Sequence, residues 1–125
     1  MNSELIYKEE AFKIIGLCME VHRELGHGFL EIVYKDALEV LFRQNYIPYE
    51  REKEYDVVFK NVVLPHKFHA DFVIYDKIIL EVKAAASLVN DNIAQTLNYL
   101  KVSGNKLGIL ANFGRIRLEY KRLVY

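Results

Sequence analysis

One cysteine, no tryptophan, two prolines and six glycines stand in a chain of 125 residues. The lone Cys18 excludes an internal disulfide, and a single thiol cannot by itself build a cysteine zinc site. With so little proline and glycine, and no repeat or low-complexity stretch, the chain has no linker, and one domain over 1–125 is predicted. Charge of one sign is missing as well: 17 Lys and Arg balance 17 Asp and Glu. Without a global positive field, any contact with nucleic acid must come from a local patch. No apolar run approaches the ~18 residues of a membrane span. The stretch 1–15 carries acids where a signal peptide wants basic and then apolar residues. The expectation is a cytoplasmic protein with no membrane association. Apolar residues are plentiful, 52% against 27% charged, which fits a folded core and excludes a disordered tail.

Hydrophobic spacing predicts a helix over 9–25, with Ala11, Ile14, Ile15, Cys18, Val21 and Leu25 at three- and four-residue intervals, ended by Gly26-His27-Gly28. A second helix is predicted over 30–45, with Tyr34, Ala37, Leu38, Leu41 and Phe42 as its buried stripe. The period then changes to two. Strands are expected over 54–60 and, after a turn at Asn61, over 62–75, with Pro65 at a bulge or an edge. A third strand is expected over 78–84. Asn90 can cap a helix reaching Ser103 with the stripe Ile93, Leu97 and Leu100, and Gly104 stands where a C-terminal cap belongs. Two closing strands, 106–112 and 116–124, meet around Phe113-Gly114-Arg115. The strand, helix, strand passage is a crossover of the kind that is almost always right-handed. The fold class is α/β: two N-terminal helices and a mixed sheet of about five strands with a crossover helix.

Alternation within the strands concentrates the chemistry. Phe68, Ala70, Phe72 and Ile74 should share one face, and His69, Asp71, Val73 and Tyr75 the other. Ile78, Leu80 and Val82 likewise oppose Ile79, Glu81 and Lys83. A three-residue loop, Tyr75-Asp76-Lys77, pairs Ile74 with Ile78 and Phe72 with Leu80, the register that keeps apolar residues on one side. It also sets Asp71 opposite Glu81, and His69 opposite Lys83. Two acids face to face repel, and a divalent cation removes the conflict. Asp71, Glu81 and the Val82 carbonyl form an oxygen-rich partial shell suited to Mg²⁺. Lys83 can then orient a water and stabilise developing charge. A surface salt bridge is the plainer alternative for these three residues.

Glu119-Tyr120-Lys121 repeats the Glu-x-Lys spacing, but no acid-bearing strand precedes it, so a solvated strand face is expected there. Gln95 and Tyr99 lie four apart on the third helix, offset from its apolar stripe, where they can reach the site or simply face solvent. Glu31, in the first turn of the second helix, is either a cap or a site group. Arg115, Arg117, Lys121 and Arg122, with Lys101 and Lys106, form the basic concentration, which can track a phosphate backbone or equally form a solvated strand face. His69 is a candidate at the rim of the site; His22, His27 and His66 are weaker ones, and Cys18 reads as a core residue.

Taken in order, Gly28-Phe29-Leu30-Glu31-Ile32-Val33-Tyr34, Asp71, Glu81-Val82-Lys83 and Gln95-Thr96-Leu97-Asn98-Tyr99 resemble the GxxExxY proteins of the PD-(D/E)XK nuclease superfamily, in its RecB-like branch with a QxxxY helix. Ala70 stands where the superfamily name has proline. The resemblance implies a restriction-endonuclease-like core and Mg²⁺-dependent hydrolysis of DNA phosphodiesters, with Mn²⁺ able to substitute. It implies Asp71 and Glu81 as metal ligands, Lys83 as the catalytic lysine, Gln95 and Tyr99 supporting the site or touching the DNA backbone, and Glu31 near the metal. A chain this small would draw sequence specificity from a homodimer or a partner protein. The alternative is a module that keeps the fold and binds nucleic acid or protein without cleaving.

Overall fold

The first helix, α1, spans Lys8–Leu25, and the second, α2, spans Glu31–Gln44. These come from a computed structural model that describes residues 6–125, so residues 1–5 of the stretch weighed against a signal peptide lie outside it. Each helix buries the stripe its spacing dictates: Ala11, Ile14, Cys18 and Val21 on α1, and Tyr34, Leu38 and Phe42 on α2. None of the described helices is long and apolar enough to cross a membrane.

The strands β1 Tyr49–Tyr55, β2 Val58–Phe59, β3 Val62–Val63, β4 Phe68–Ile74 and β5 Ile78–Lys83 follow. The third helix, α3, spans Asn90–Ser103, and β6 Leu107–Asn112 and β7 Glu119–Val124 complete the chain. A five-stranded sheet has the order β1-β4-β5-β6-β7, with β5 and β6 parallel and the other neighbours antiparallel. The expected crossover is therefore present, with α3 joining the parallel pair. Ile74 pairs with Ile78 and Phe72 with Leu80, the register that the three-residue loop requires.

The early strands differ from the sequence reading. The edge strand β1 starts at Tyr49, well before residue 54, and its half-buried positions 51 and 53 carry charged residues. Arg51 reaches Asp36 at 2.8 Å and Glu39 at 2.9 Å, so hydrophobic periodicity gives no signal. The segment expected as one strand over 62–75 is broken, and Pro65, which has no ladder donor, sits in the gap. Residues 58–63 form a separate two-stranded hairpin whose Val58, Phe59, Val62 and Val63 are all exposed. The last strand begins at Glu119 rather than 116, because bends occupy the residues before it.

Two apolar clusters sandwich the sheet. Phe72, Ile74, Ile78, Leu80 and Val82 pack with α1 and α2, whereas Ala70, Val73 and Ile79 pack with Leu100 of α3. Ala70 and Phe72 thus face opposite ways, contrary to simple alternation, and Phe68 stacks on Tyr99 of α3 at 4.2 Å between ring centroids. The face switch falls at Asp71. Opposite it, the β1–β4 register passes from Arg51–Phe72 to Lys53–Ala70 without a Glu52 pair, and Glu52 has φ 56°. The buried stripe of α3 is also shifted: Thr96 and Leu100 are buried, whereas Ile93 and Leu97 are half-buried. Gly108 permits this, because a Cβ there would lie 3.0 Å from the Thr96 methyl. Asn90 is the first residue of α3 rather than its cap; the Asn92 carboxamide oxygen accepts the Val89 N–H at 3.0 Å instead.

Candidate active site

Beyond the Phe72–Leu80 pair, side chains replace the backbone ladder between β4 and β5. The Asp71 N–H donates to Glu81 Oε2 at 2.8 Å, and the Val82 N–H donates to Asp71 Oδ2 at 2.7 Å. The two carboxylates therefore lie in the gap between the strands, and both residues are buried. A strand residue aims its N–H and C=O at the same neighbour, so the Val82 carbonyl also faces the β4 side. Burial first, and the Asp71 charge second, push the Glu81 carboxyl up to about 8, against the opposing pull of the Asp71 N–H, Lys83 and Lys35. Lys83 follows Glu81 on the same side of β5 and is half-buried; its carbonyl accepts the Phe113 N–H of the segment after β6 at 2.8 Å.

A lysine that the sequence reading passed over completes the cluster. Lys35 Nζ lies 2.8 Å from Asp71 Oδ1, 3.8 Å from Glu52 Oε2 and 3.9 Å from Glu31 Oε1. Burial works to lower the Lys35 ammonium, but its hydrogen bond to Asp71 and the charges of Asp71, Glu52 and Glu31 leave it raised. The available signal was helical spacing, since Lys35 is four residues after Glu31 on α2. Glu52 was hidden with the rest of β1.

The α3 candidates divide. Tyr99 is half-buried on Phe68, which in turn stacks on Tyr55 at 5.0 Å, so a three-ring column fixes it. Burial first, then Glu81 and Asp71, raise its phenol, which places it within the field of the carboxylate pair. Gln95 lies one turn earlier and is exposed. His69 does not meet Lys83: the β4–β5 ladder has ended, and its Nε2 sits 3.1 Å from Glu54 Oε2 of β1, both side chains being largely exposed. His22 is buried with Nε2 2.8 Å from the Arg115 carbonyl, while His27 and His66 are exposed.

Two devices hold the elements that carry the site. The Tyr34 hydroxyl donates to the Gly26 carbonyl at 2.6 Å and accepts the Phe29 N–H at 3.2 Å, fastening the loop that leads into Glu31. Gly28 turns in that loop at φ 110°, a conformation that strongly favours glycine. The second device follows Lys83. Buried Asn112 accepts the N–H groups of Ala85 (2.9 Å) and Gly114 (3.1 Å), and donates to the Ala85 carbonyl (3.0 Å) and Glu119 Oε1 (3.1 Å). Gly114 is obligatory there, since a Cβ would stand 2.3 Å from the Ala85 carbonyl oxygen. Glu119 also accepts the Leu88 N–H at 3.1 Å. It is thus a loop anchor rather than part of a solvated strand face, and the Asn112 hydrogen bond is the leading cause that holds its carboxyl low.

The basic residues separate too. Arg115 and Arg117 line an open groove of about 720 Å³ with His27 and Ala86, whereas Arg122 turns to the start of α1 and donates to the Ile6 carbonyl. The groove takes in residues just before Glu31 and just after Lys83.

Among the described residues, no three His, Cys, Asp or Glu side chains converge as a closed metal cluster. Two adjacent buried carboxylates with a backbone carbonyl beside them are nevertheless an oxygen-only donor set. That suits a hard cation such as Mg²⁺, which uses one or two carboxylates and keeps waters or phosphate oxygens. Burial first, and the Asp71 charge second, penalise the ionised Glu81 carboxylate, and a bound cation would relieve that penalty.

No curated protein sequence matches the chain. In fold it is similar to a solved protein titled "Crystal structure of SSO0001", with a TM-score of 0.57, 22% identity and 74% of the present chain covered. The match spans 48% of that protein, so the chain corresponds to about half of its length. A profile described as "PD-(D/E)XK nuclease superfamily" matches residues 8–123, a span that contains α1, the sheet, the Asp71–Glu81 pair, Lys83 and α3. With this match over nearly all of a restriction-endonuclease-like α/β core, the chain belongs to the PD-(D/E)XK nuclease superfamily.

Proposed function

We propose that the chain is a Mg²⁺-dependent nuclease that hydrolyses DNA phosphodiester bonds, with Mn²⁺ able to substitute, and that it is a GxxExxY protein of the RecB-like branch. The observation that carries this reading is the reciprocal, buried Asp71–Glu81 pair, with Lys83 following on the same strand. Asp71, Glu81 and the Val82 carbonyl would hold the cation, and Glu31 joins through Lys35. Bound there, the cation would acidify a water and draw charge from a phosphate oxygen. Lys83 orients the attacking water and stabilises the charge that grows on the phosphate. Tyr99 and Gln95 steady the site from α3 and touch the backbone of the scissile strand. His69, turned to Glu54, takes no part in this scheme.

The groove lined by His27, Arg115 and Arg117 supplies the local positive surface that a chain without net charge needs to hold DNA. The unit is read as one domain over 1–125, working in the cytoplasm, with a second copy or a partner protein adding sequence specificity. The exposed apolar hairpin at 58–63 is a surface of suitable chemistry for that contact.

The test is incubation of the wild type and Lys83→Ala with plasmid and with single-stranded DNA, in Mg²⁺ or Mn²⁺. Metal-dependent nicking that disappears in the variant is expected. Gel retardation without cleavage, unchanged by Lys83→Ala, would overturn catalysis in favour of a non-catalytic nucleic-acid-binding module.

A further inference from the structure

Lys35 occupies an unusual position for a residue of an acid-rich site. Its ammonium is drawn in among three carboxylates, and its side chain keeps only 14% of its exposure. Nothing in packing requires this, since a lysine on α2 could extend into water at little cost. Instead the ammonium is 2.8 Å from Asp71 Oδ1, on the carboxylate whose other oxygen takes the Val82 N–H. Glu52 and Glu31 stand farther back at 3.8 and 3.9 Å, with side chains 52% and 43% exposed. Glu52 is held there in a left-handed backbone conformation, opposite Asp71, where the β1–β4 ladder skips a pair. Such a conformation is unfavourable for an L-residue inside a strand and persists only where the surroundings enforce it.

We infer that Lys35 is a tethered cation that fills the Asp71 seat, and that a divalent ion binding there displaces its ammonium outward to Glu52 and Glu31. The inference rests on the metal-dependent reading above. Two cations cannot both sit against Asp71 Oδ1 at contact distance, so the ion's apparent affinity is reduced by the fraction of molecules in which Lys35 holds the seat. The same contact offsets part of the repulsion within the buried Asp71–Glu81 pair when no ion is bound.

Two measurements without turnover test this. In the first, Mn²⁺ binding is followed by the electron paramagnetic resonance of free Mn²⁺ for the wild type, Lys35→Met, Lys35→Gln and Lys35→Arg. The Met and Gln variants should bind about tenfold more tightly, the order expected for losing a competing charge-assisted contact, while Lys35→Arg should stay near wild type. In the second, amine acetylation read by mass spectrometry compares Lys35 with the exposed Lys101. Lys35 should be protected without Mg²⁺ and become several-fold more reactive with it, and Lys101 should not change. Unchanged or weaker Mn²⁺ binding in both neutral variants, or Lys35 reactivity that Mg²⁺ leaves unchanged, overturns the inference and leaves the metal site standing. No Mn²⁺ uptake by any of the four proteins overturns the metal reading itself, and this inference with it.

Discussion

Asp71 and Glu81 meet through the backbone and not face to face: Glu81 accepts the N–H of Asp71, and Asp71 accepts the N–H of Val82, the residue after Glu81. Each carboxylate thus occupies the place of a missing ladder bond. That arrangement tolerates two acids in a buried gap, but at a cost that depends on pH. The folded chain holds the Glu81 proton up to about 8, from an ordinary 4.5. Between those values the folded state binds more protons than the unfolded one, so stability must fall as pH rises through the window. Urea melts at pH 5 and pH 8 without added metal should show lower stability at pH 8. In Glu81→Gln that pH-dependent loss should be largely removed; an equal loss in the variant would show that another group causes it.

Mg²⁺ should act in the opposite direction. By favouring the ionised carboxylate it should release protons on binding near pH 7, and it should raise the melting temperature more at pH 8 than at pH 5. Calorimetry in two buffers of different ionisation enthalpy measures the protons released. Asp71→Asn should abolish the metal-dependent rise, and persistence of the full rise in that variant would exclude Asp71 as a ligand.

How much of this was legible beforehand depended on whether hydrophobic pattern carried the information. The β4–β5 register followed from the need to keep Phe72, Ile74, Ile78 and Leu80 on one side, and that same constraint brought Asp71 to Glu81. Alternation then failed at Asp71 itself, since the strand changes faces at the point where the ladder opens. The polar edge strand β1 offered no periodic apolar signal, so Glu52 could not be placed. His69 was misdirected by extending a regular ladder past its end. Lys35 and Asn112 were readable as residues but not as partners, because their contacts join segments far apart in the chain.

Asn112 illustrates what such long-range polar contacts are worth. Its carboxamide makes four hydrogen bonds, three of them to the backbone of Ala85 and Gly114. Asn112→Ala would strand buried groups of the segment that follows Lys83, costing about 2–4 kcal/mol by ordinary hydrogen-bond magnitudes. Amide exchange at Ala85, Leu88 and Gly114 should accelerate far more than in the centre of β5. Gly114→Ala should be at least as damaging, since its Cβ has no space beside Ala85.

Tyr34→Phe removes one oxygen and keeps the ring stacked on Phe113 at 4.7 Å between centroids. The Gly26 carbonyl and Phe29 N–H each lose a partner, a loss of about 1–2 kcal/mol. Because the freed loop leads directly into Glu31, the effect should reach the site: the proposed nuclease activity should fall by more than the lost stability explains at a temperature where both proteins are folded. An activity that simply tracks the folded fraction would restrict Tyr34 to a structural part.

Arg117 tests the groove separately from the chemistry. It is exposed, it lines the open channel with His27 and Arg115, and it is remote in sequence from the carboxylate pair. Arg115 is partly engaged by Glu119 at 3.8 Å, which leaves Arg117 as the cleaner probe. If the groove follows a DNA backbone, Arg117→Glu should weaken binding about equally for unrelated sequences. The slope of log affinity against log salt should become shallower by about one. Melting temperature and Mn²⁺ affinity should stay at wild-type values, because neither depends on a solvent-facing guanidinium outside the site. Titration of a fluorescent duplex at several salt concentrations reads all of this in one series, and an unchanged slope would place the DNA path elsewhere on the surface.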